Sequence, residues 1–258
     1  MTQPPNDINQ EPQSTPQPHM VQVRLPGNVQ KPGVTYTIIG LTVVVYLLQL
    51  LSQKILGQNI DLPFIYGGKI NSLILQGQLW RLITPVLLHG SLLHIGFNMY
   101  ALFSIGPSLE KAYGHGRFLL LYLLGGFAGN TISFLLSPNA SIGASTAIFA
   151  LVIAEAVFIF RNRQMFGGRA RNMLFNLGLI IVVNLVIGLN PGIDNWGHLG
   201  GLLGGALFSW TAGPVYQLGV GSSGYELQDK HGRQETLWGA VLTFGVFAAI
   251  VIGRMLAG

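Results

Sequence analysis

Seven apolar runs, separated by polar segments, occupy most of the chain from residue 34 to its C-terminal end. Charged residues make up only 9% of the 258 residues, whereas about a quarter is usual for a soluble domain. A soluble globule of this size needs a charged surface that so few residues cannot supply. The chain is therefore predicted to be an all-α, polytopic membrane helical bundle, because apolar runs near 20 residues cross about 30 Å of hydrocarbon as helices.

The spans are predicted at 34–52, 91–105, 117–136, 144–160, 172–189, 196–211 and 236–255. The second, fourth and sixth spans are the shorter ones, and at 1.5 Å per residue they cover roughly 23–26 Å. Four segments follow from this pattern. They are an N-terminal tail (1–33), a six-span core (34–212), a loop (213–235) and a seventh transmembrane helix (236–258). The tail is rich in Gln, Pro and Asn, and it is predicted to be disordered because it has little apolar surface to bury.

The basic residues predict the orientation in the membrane. If the N-terminus is cytoplasmic, most of the 14 Lys and Arg residues lie in inner segments, including the four arginines between 161 and 171. The positive-inside rule therefore favours a cytoplasmic N-terminus, and we expect an integral, multi-pass protein of the plasma membrane. The same rule explains the net charge of +5, so a topological role is preferred to nucleic-acid binding. The predicted partner is the lipid bilayer, and the oligomeric state stays open.

Four polar side chains lie near the outer ends of the short spans, where a polar residue is costly and indicates function. They are His94 and Asn98 in the second span, Ser145 in the fourth and His198 in the sixth. Each has an ordinary structural explanation when taken alone. A serine can bond back to its own helix, and an asparagine or a histidine can join helices.

Together these residues supply the parts of a nucleophilic site. A serine beside a histidine is an activated nucleophile, because the imidazole accepts the hydroxyl proton. His94, Asn98 and the free amide of Ser145 at a helix start can donate hydrogen bonds to an oxyanion. Small residues at four-residue spacing favour a close crossing of the fourth and sixth spans. They are Thr146, Ala150 and Ala154 in one, and Gly197, Gly201 and Gly205 in the other.

Five segments, in this order, give the chain a resemblance to the rhomboid intramembrane serine proteases. They are WRLITPVLLH (80–89), HGSLLHIGFN (89–98), GPSLEKAYGHGRF (106–118), GAS (143–145) and GHLGG (197–201). The resemblance implies a six-helix core, here followed by a seventh helix. It also implies a serine endopeptidase that hydrolyses peptide bonds in or near transmembrane segments of membrane proteins, with no cofactor and no metal.

The resemblance also implies a role for each site residue. Ser145 would be the nucleophile and His198 the general base and acid. His94, Asn98 and the amide of Ser145 would form the oxyanion hole. The supporting residues would be Gly143, Phe149 and Gly201. Substrates would reach the site laterally near the fifth span, with the first outer loop shaping the gate.

Two positions depart from the family pattern. Thr146 follows the nucleophile where the family usually has glycine, and we expect its β-branched side chain to crowd the oxyanion hole. Phe149 stands where the family tends to have tyrosine, and its ring can still stack on His198. Asp194, four residues before His198, is interpreted as a helix N-cap, and a role as a third catalytic member is the minority interpretation.

Two other functions stay open at this stage. A rhomboid-like protein that binds membrane clients without cutting them is favoured only by Thr146. A transporter would use the intramembrane His and Asn as a proton relay, although the chain has little internal symmetry. A zinc metalloprotease with an HExxH motif is excluded, because none of the six histidines is followed by glutamate.

Overall fold

The computed structural model describes residues 31–57, 60–221 and 224–257. Most of the predicted disordered tail, residues 1–30, lies outside them. The elements, in chain order, are α1 (Gly33–Leu56), α2 (Leu62–Gly67), α3 (Asn71–Leu75), two 3-10 turns (Leu79–Leu82 and Thr84–Leu87), α4 (Leu92–Tyr113), α5 (His115–Leu136), α6 (Ser145–Arg161), α7 (Arg163–Phe166), α8 (Arg169–Ile187), α9 (Asn195–Ala212), β1 (Tyr216–Gly221), β2 (Gly224–Asp229) and α10 (Arg233–Leu256). The predicted all-α membrane bundle is confirmed.

Each predicted span corresponds to one long helix, and most boundaries agree within a few residues. The second span is the exception, because α4 continues through Pro107 to Tyr113 instead of ending at residue 105. The extension is held by Glu110, a buried carboxylate that accepts hydrogen bonds from the amides of Val34 (2.8 Å) and Thr35 (2.7 Å) at the start of α1. The prediction that the second span is short is therefore wrong, whereas α6 and α9 have only 17 and 18 residues.

Within the described residues, four helices are long and apolar enough to cross a membrane by length and composition. They are α1, α5, α8 and α10. Of the other long helices, α4 and α9 contain polar residues and glycines that lower their hydropathy, whereas α6 is apolar but has only 17 residues. The candidate site residues thus lie on these three helices and not on the four candidate spans.

Helices α5, α6 and α9 form the centre of the bundle, and glycines let their backbones come close together. A methyl group added at Gly200 would lie 2.6 Å from the carbonyl oxygen of Ala128 in α5. One added at Gly205 would lie 2.5 Å from the Cα of Ala150 in α6. Helix α9 can occupy this position only because these residues lack side chains, as small-residue packing in membranes requires.

The segment between α1 and α4, the α1–α4 loop, is held by buried polar side chains. The Arg81 guanidinium is buried and donates within the loop to the carbonyl oxygens of Gly68 (2.7 Å) and Ile65 (2.6 Å). The Asn130 amide of α5 donates to the carbonyl of Leu82 at 3.1 Å. The loop is therefore ordered within itself and attached to the bundle at α5.

At the opposite end of the bundle, the predicted loop 213–235 contains a β-hairpin. Strands β1 and β2 pair antiparallel, with Tyr216 opposite Asp229 and Val220 opposite Tyr225. The Tyr216 amide donates to the side chain of Asn162, directly after α6, at 2.7 Å. The hairpin therefore lies at the same end as the arginine-rich connection between α6 and α8.

Candidate active site

The nucleophile candidate Ser145 is the first residue of α6, and the segment before it is held in place from two sides. The amide of Gly143 donates to the carbonyl of Pro85 at 2.9 Å. The amide of Ala144 donates to Nε2 of His89 at 3.4 Å. As the first helical residue, Ser145 has a backbone N–H without an acceptor in its own helix.

Ser145 and His198 are brought together as predicted. The Oγ of Ser145 lies 3.0 Å from Nε2 of His198, within hydrogen-bond distance. The imidazole also stacks on Phe149, with ring centroids 4.3 Å apart and an angle of 16° between the planes. The predicted stacking is thus present without the tyrosine hydroxyl, and it orients the ring edge toward the serine.

The crossing of α6 and α9 makes this contact possible. A Cβ atom at Gly201 would lie 2.1 Å from the carbonyl oxygen of Thr146, one residue after Ser145. Backbone contact this close requires glycine at position 201. Gly201 therefore sets the distance between the two reacting side chains.

The oxyanion-hole candidates His94 and Asn98 lie on the first two turns of α4. The Nδ1 of His94 accepts a hydrogen bond from the amide of Gly90 at 3.5 Å. A neutral imidazole that accepts at Nδ1 carries its proton on Nε2, where it can serve as a donor. Gly143, at φ +133°, makes room for this ring, because a Cβ there would lie 2.8 Å from Nε2 of His94. The Asn98 amide donates to the carbonyl of His94 at 2.9 Å, so one of its two N–H bonds points back along its own helix.

Asp194 is the N-cap of α9, as predicted. Its carboxylate accepts from the amide of Gly197 at 2.9 Å and from the hydroxyl of Ser133 in α5. Within the described part of the chain, Nδ1 of His198 has no hydrogen-bond partner. Asp194 therefore fixes the start of the helix that carries His198 and forms no hydrogen bond with the imidazole.

The expectation that Thr146 crowds the oxyanion hole is not met by the position of its side chain. The Thr146 side chain is buried and lies against α5 and α9. A methyl group added at Gly129 would lie 2.5 Å from its Cβ, and one added at Gly197 would lie 2.9 Å from its Cγ2. These two glycines leave the space that the threonine fills. Its β-branched side chain thus packs between α5 and α9.

Two buried residues of the α1–α4 loop support the segment before the serine, and neither was assigned a role from the sequence. His89 holds the amide of Ala144, and burial lowers the pKa of His89 to about 3, so the ring is neutral and can accept. The Lys69 ammonium donates to the carbonyls of Ser137 (3.1 Å) and Asn139 (2.8 Å). Together they fasten the segment that leads from α5 to Ser145.

No local sequence signal pairs Lys69 with this segment, since the partners lie 68 and 70 residues away. His89 was visible only as part of the HGSLLHIGFN string. Its role as an acceptor for the segment before Ser145 depends on the tertiary fold.

Comparison with known proteins agrees with this arrangement. Residues 76–215, more than half of the chain, match the Rhomboid domain family. The chain belongs to the rhomboid family. The matched region of this rhomboid contains Ser145, His198 and the oxyanion-hole candidates, and it runs from the α1–α4 loop to just past the end of α9.

Two proteins named as proteases are among its relatives. Rhomboid protease GluP of Bacillus subtilis is 43% identical over 176 residues, which cover 68% of this chain and 34% of that protein. Rhomboid protease AarA of Providencia stuartii is 29% identical over 200 residues, which cover 69% of this chain and 71% of that protein.

A plant relative, RHOMBOID-like protein 9, chloroplastic, of Arabidopsis thaliana is 34% identical over 207 residues, covering 76% of this chain and 47% of that protein. The chain thus spans about a third of GluP and about half of the plant protein. The family and the apolar helices together make the chain an integral, multi-pass membrane protein.

Proposed function

We propose that this chain is an intramembrane serine endopeptidase that cleaves transmembrane proteins through a dyad of Ser145 and His198. The observation that carries the proposal is the 3.0 Å contact between Ser145 Oγ and His198 Nε2 at the N-terminal ends of α6 and α9. A hydroxyl in contact with an imidazole nitrogen is a poised nucleophile and base.

In the first step, His198 Nε2 takes the hydroxyl proton while Oγ attacks the carbonyl carbon of the scissile peptide bond. The negative charge that develops on the carbonyl oxygen is stabilised by N–H donors, for which His94 Nε2, Asn98 Nδ2 and the Ser145 amide are the candidates. The C–N bond then breaks as His198 returns the proton to the leaving amine. An acyl-enzyme on Ser145 remains.

In the second step, a water molecule loses a proton to His198 and attacks the acyl carbon. The ester bond to Oγ breaks, the serine regains its proton, and the new carboxyl product leaves. The site residues lie within the first turns of α4, α6 and α9, so water needs to penetrate only to this depth. The short helices α6 and α9 favour that, since about 27 Å of helix does not cover the full hydrocarbon thickness.

The proposed substrates are single-pass membrane proteins whose helix unwinds near the outer face. A transmembrane helix satisfies its carbonyls internally, so small and helix-breaking residues must expose the bond to be cut. Helix α8 is the proposed side of access, because it is loosely packed against the bundle. Ala170 and Leu177 are its buried residues, and both pack against α6. Among the described residues, the C-terminal half of α8 is joined to a neighbouring element by one side-chain hydrogen bond, from Asn195 to the carbonyl of Leu185 at 2.9 Å.

The positive-inside rule supports an orientation in which the hairpin and the arginine-rich connection are cytoplasmic. The site would then open to the outer face, and the plasma membrane is the proposed location. The bilayer and transmembrane substrates are the proposed partners.

The test is cleavage of a single-pass transmembrane substrate by the purified protein in detergent. Ser145→Ala is expected to abolish cleavage, because no other atom can form the acyl-enzyme. Ser209→Ala is the matched control, since Ser209 is buried in the same bundle but lies near the other end of α9 from His198. Undiminished cleavage by Ser145→Ala would refute the mechanism.

A protein that binds membrane clients without cutting them would behave differently. It would retain the substrate in pull-down experiments, release no product, and leave a fluorophosphonate probe unreacted. We expect the probe to label the wild-type protein, because labelling needs only the activated serine and no substrate recognition.

A further inference from the structure

The β-hairpin of residues 216–229 has one apolar face and one polar face. Alternate residues of a strand point to opposite sides, and residues paired across strands point to the same side. One face carries Tyr216, Leu218, Val220, Tyr225 and Leu227. The other carries Gln217, Glu226 and Gln228. No part of the proposed catalytic mechanism uses this hairpin.

Contacts at the base of the hairpin fix the direction of the apolar face. The Tyr216 hydroxyl donates to the carbonyl of Ala112 at the end of α4 (2.8 Å), and its ring packs edge-on against Phe158 of α6. Its partner Asp229 accepts from the Arg117 guanidinium at the start of α5 (2.6 Å). Both residues of this pair therefore face the ends of the membrane helices, and the rest of the face is turned the same way.

Farther from the base of the hairpin, the side chains of the same face are more exposed. Leu218 is 62% exposed, Val220 is 81% exposed and Tyr225 is 51% exposed. Three large apolar side chains of this face are thus mostly exposed within the described part of the protein.

We propose that this face of the hairpin is an interfacial membrane anchor, and that its partner is the lipid surface at the arginine-rich end of the bundle. The position favours lipid because Tyr216 and Asp229 join the hairpin to the end of α4 and the start of α5. Arg117, which donates to Asp229, also donates to Thr236 in the first turn of α10, so α10 begins at the same place. Leu237 and Trp238, which follow Thr236, are exposed. Trp238 and Tyr225 are the amphipathic aromatic residues that prefer the membrane interface.

The charges around the hairpin fit the same place. The Tyr216 amide bonds to Asn162, so the hairpin lies beside the connection that contains Arg161, Arg163 and Arg169. Basic residues near a helix end hold their charge at the headgroup level while their stems lie against apolar surface. With the hairpin anchored in the membrane–water interface, the start of α10 would be held against the helix bundle.

The chain contains no cysteine, so single-cysteine variants can be labelled without altering the background. We would attach a nitroxide at Leu218→Cys and Val220→Cys on the apolar face. Gln217→Cys is the matched control, because Gln217 adjoins Leu218, is exposed and points to the polar face. The labelled proteins are reconstituted into vesicles of phosphatidylethanolamine and phosphatidylglycerol.

Collisions with oxygen, which dissolves in lipid, are then compared with collisions with a water-soluble nickel chelate. We expect the ratio of oxygen to nickel collisions to be several-fold higher at positions 218 and 220 than at 217. Equal ratios at all three positions would place the hairpin in water and overturn the proposal. Labels at 218 and 220 that are shielded from both reagents would also overturn it, since they would indicate a protein partner or a second copy.

Discussion

The substitution Gly201→Ala tests whether the closeness of α6 and α9 sets the activity. A Cβ at position 201 would lie 2.1 Å from the carbonyl oxygen of Thr146, whereas ordinary contact begins near 3.4 Å. The neighbouring atom is backbone, so it cannot turn aside, and α9 must move away from α6 by roughly 1 Å. That shift would lengthen the 3.0 Å contact between Ser145 and His198 to about 4 Å, beyond hydrogen-bond distance.

A misplacement of about 1 Å costs on the order of 100-fold in rate, and overpacking of this kind costs about 1–3 kcal/mol of stability. We therefore expect Gly201→Ala to lose at least that much cleavage activity while a large part of the protein stays folded. The assay is cleavage of a transmembrane substrate in detergent, normalised to the folded fraction from circular dichroism. Fluorophosphonate labelling in the same samples reports on the serine without a substrate.

The matched control is Gly245→Ala in α10, where an added methyl group meets nothing within 4 Å. Both variants gain the same helix propensity, so a difference between them reflects the crossing alone. A folded Gly201→Ala protein that cleaves as fast as the control would refute the reasoning. It would mean that the dyad tolerates a wider separation than the structure has.

Three further predictions concern residues around the dyad. Asp194→Asn should keep most of the turnover, because an amide still caps α9, whereas a third catalytic member would lose about 10⁴-fold in kcat. Phe149→Ala should cost about 3–5 kcal/mol of stability and slow cleavage, and Phe149→Tyr should restore both the melting temperature and the rate. Burial lowers the pKa of Lys69 to about 8 from its ordinary 10.5. Between these values the unfolded chain binds more protons, so the melting temperature should rise with pH across that window, and Lys69→Met should remove the rise.

The candidate site was largely predictable because its residues break a pattern. Polar side chains in apolar segments are costly, so His94, Asn98, Ser145 and His198 stand out without knowledge of the fold. The four-residue spacing of the glycines in α9 likewise predicts a close crossing. The motifs that contain these residues, taken in their order along the chain, also indicated the family and a role for each residue.

Other features depend on contacts between distant parts of the chain. The end of α4 could not be located from the sequence, because Pro107 and Gly106 look like a helix stop and only the contact of Glu110 with α1 explains the continuation. Lys69 is an ordinary loop lysine until the fold places the carbonyl of Asn139 beside it. The orientation of the Thr146 side chain was equally hidden, since its space is created by Gly129 of another helix.

The hairpin is a different case, because its sequence did carry a signal. Large apolar residues alternate at 216, 218 and 220, and again at 225 and 227, around a short Gly- and Ser-rich segment. Period-two alternation of this kind is typical of a half-buried strand pair. A segment so short between two apolar helices is easily taken for a plain loop.

The measurement that tests the central claim most directly is the position of a covalent fluorophosphonate adduct. The purified protein is treated with the probe, digested and mapped by mass spectrometry, with His198→Ala alongside it. We predict one adduct on Ser145 in the wild-type protein and its loss in His198→Ala, while circular dichroism shows both to be folded. An adduct on another serine, or equal labelling of Ser145 without His198, would contradict the proposed dyad.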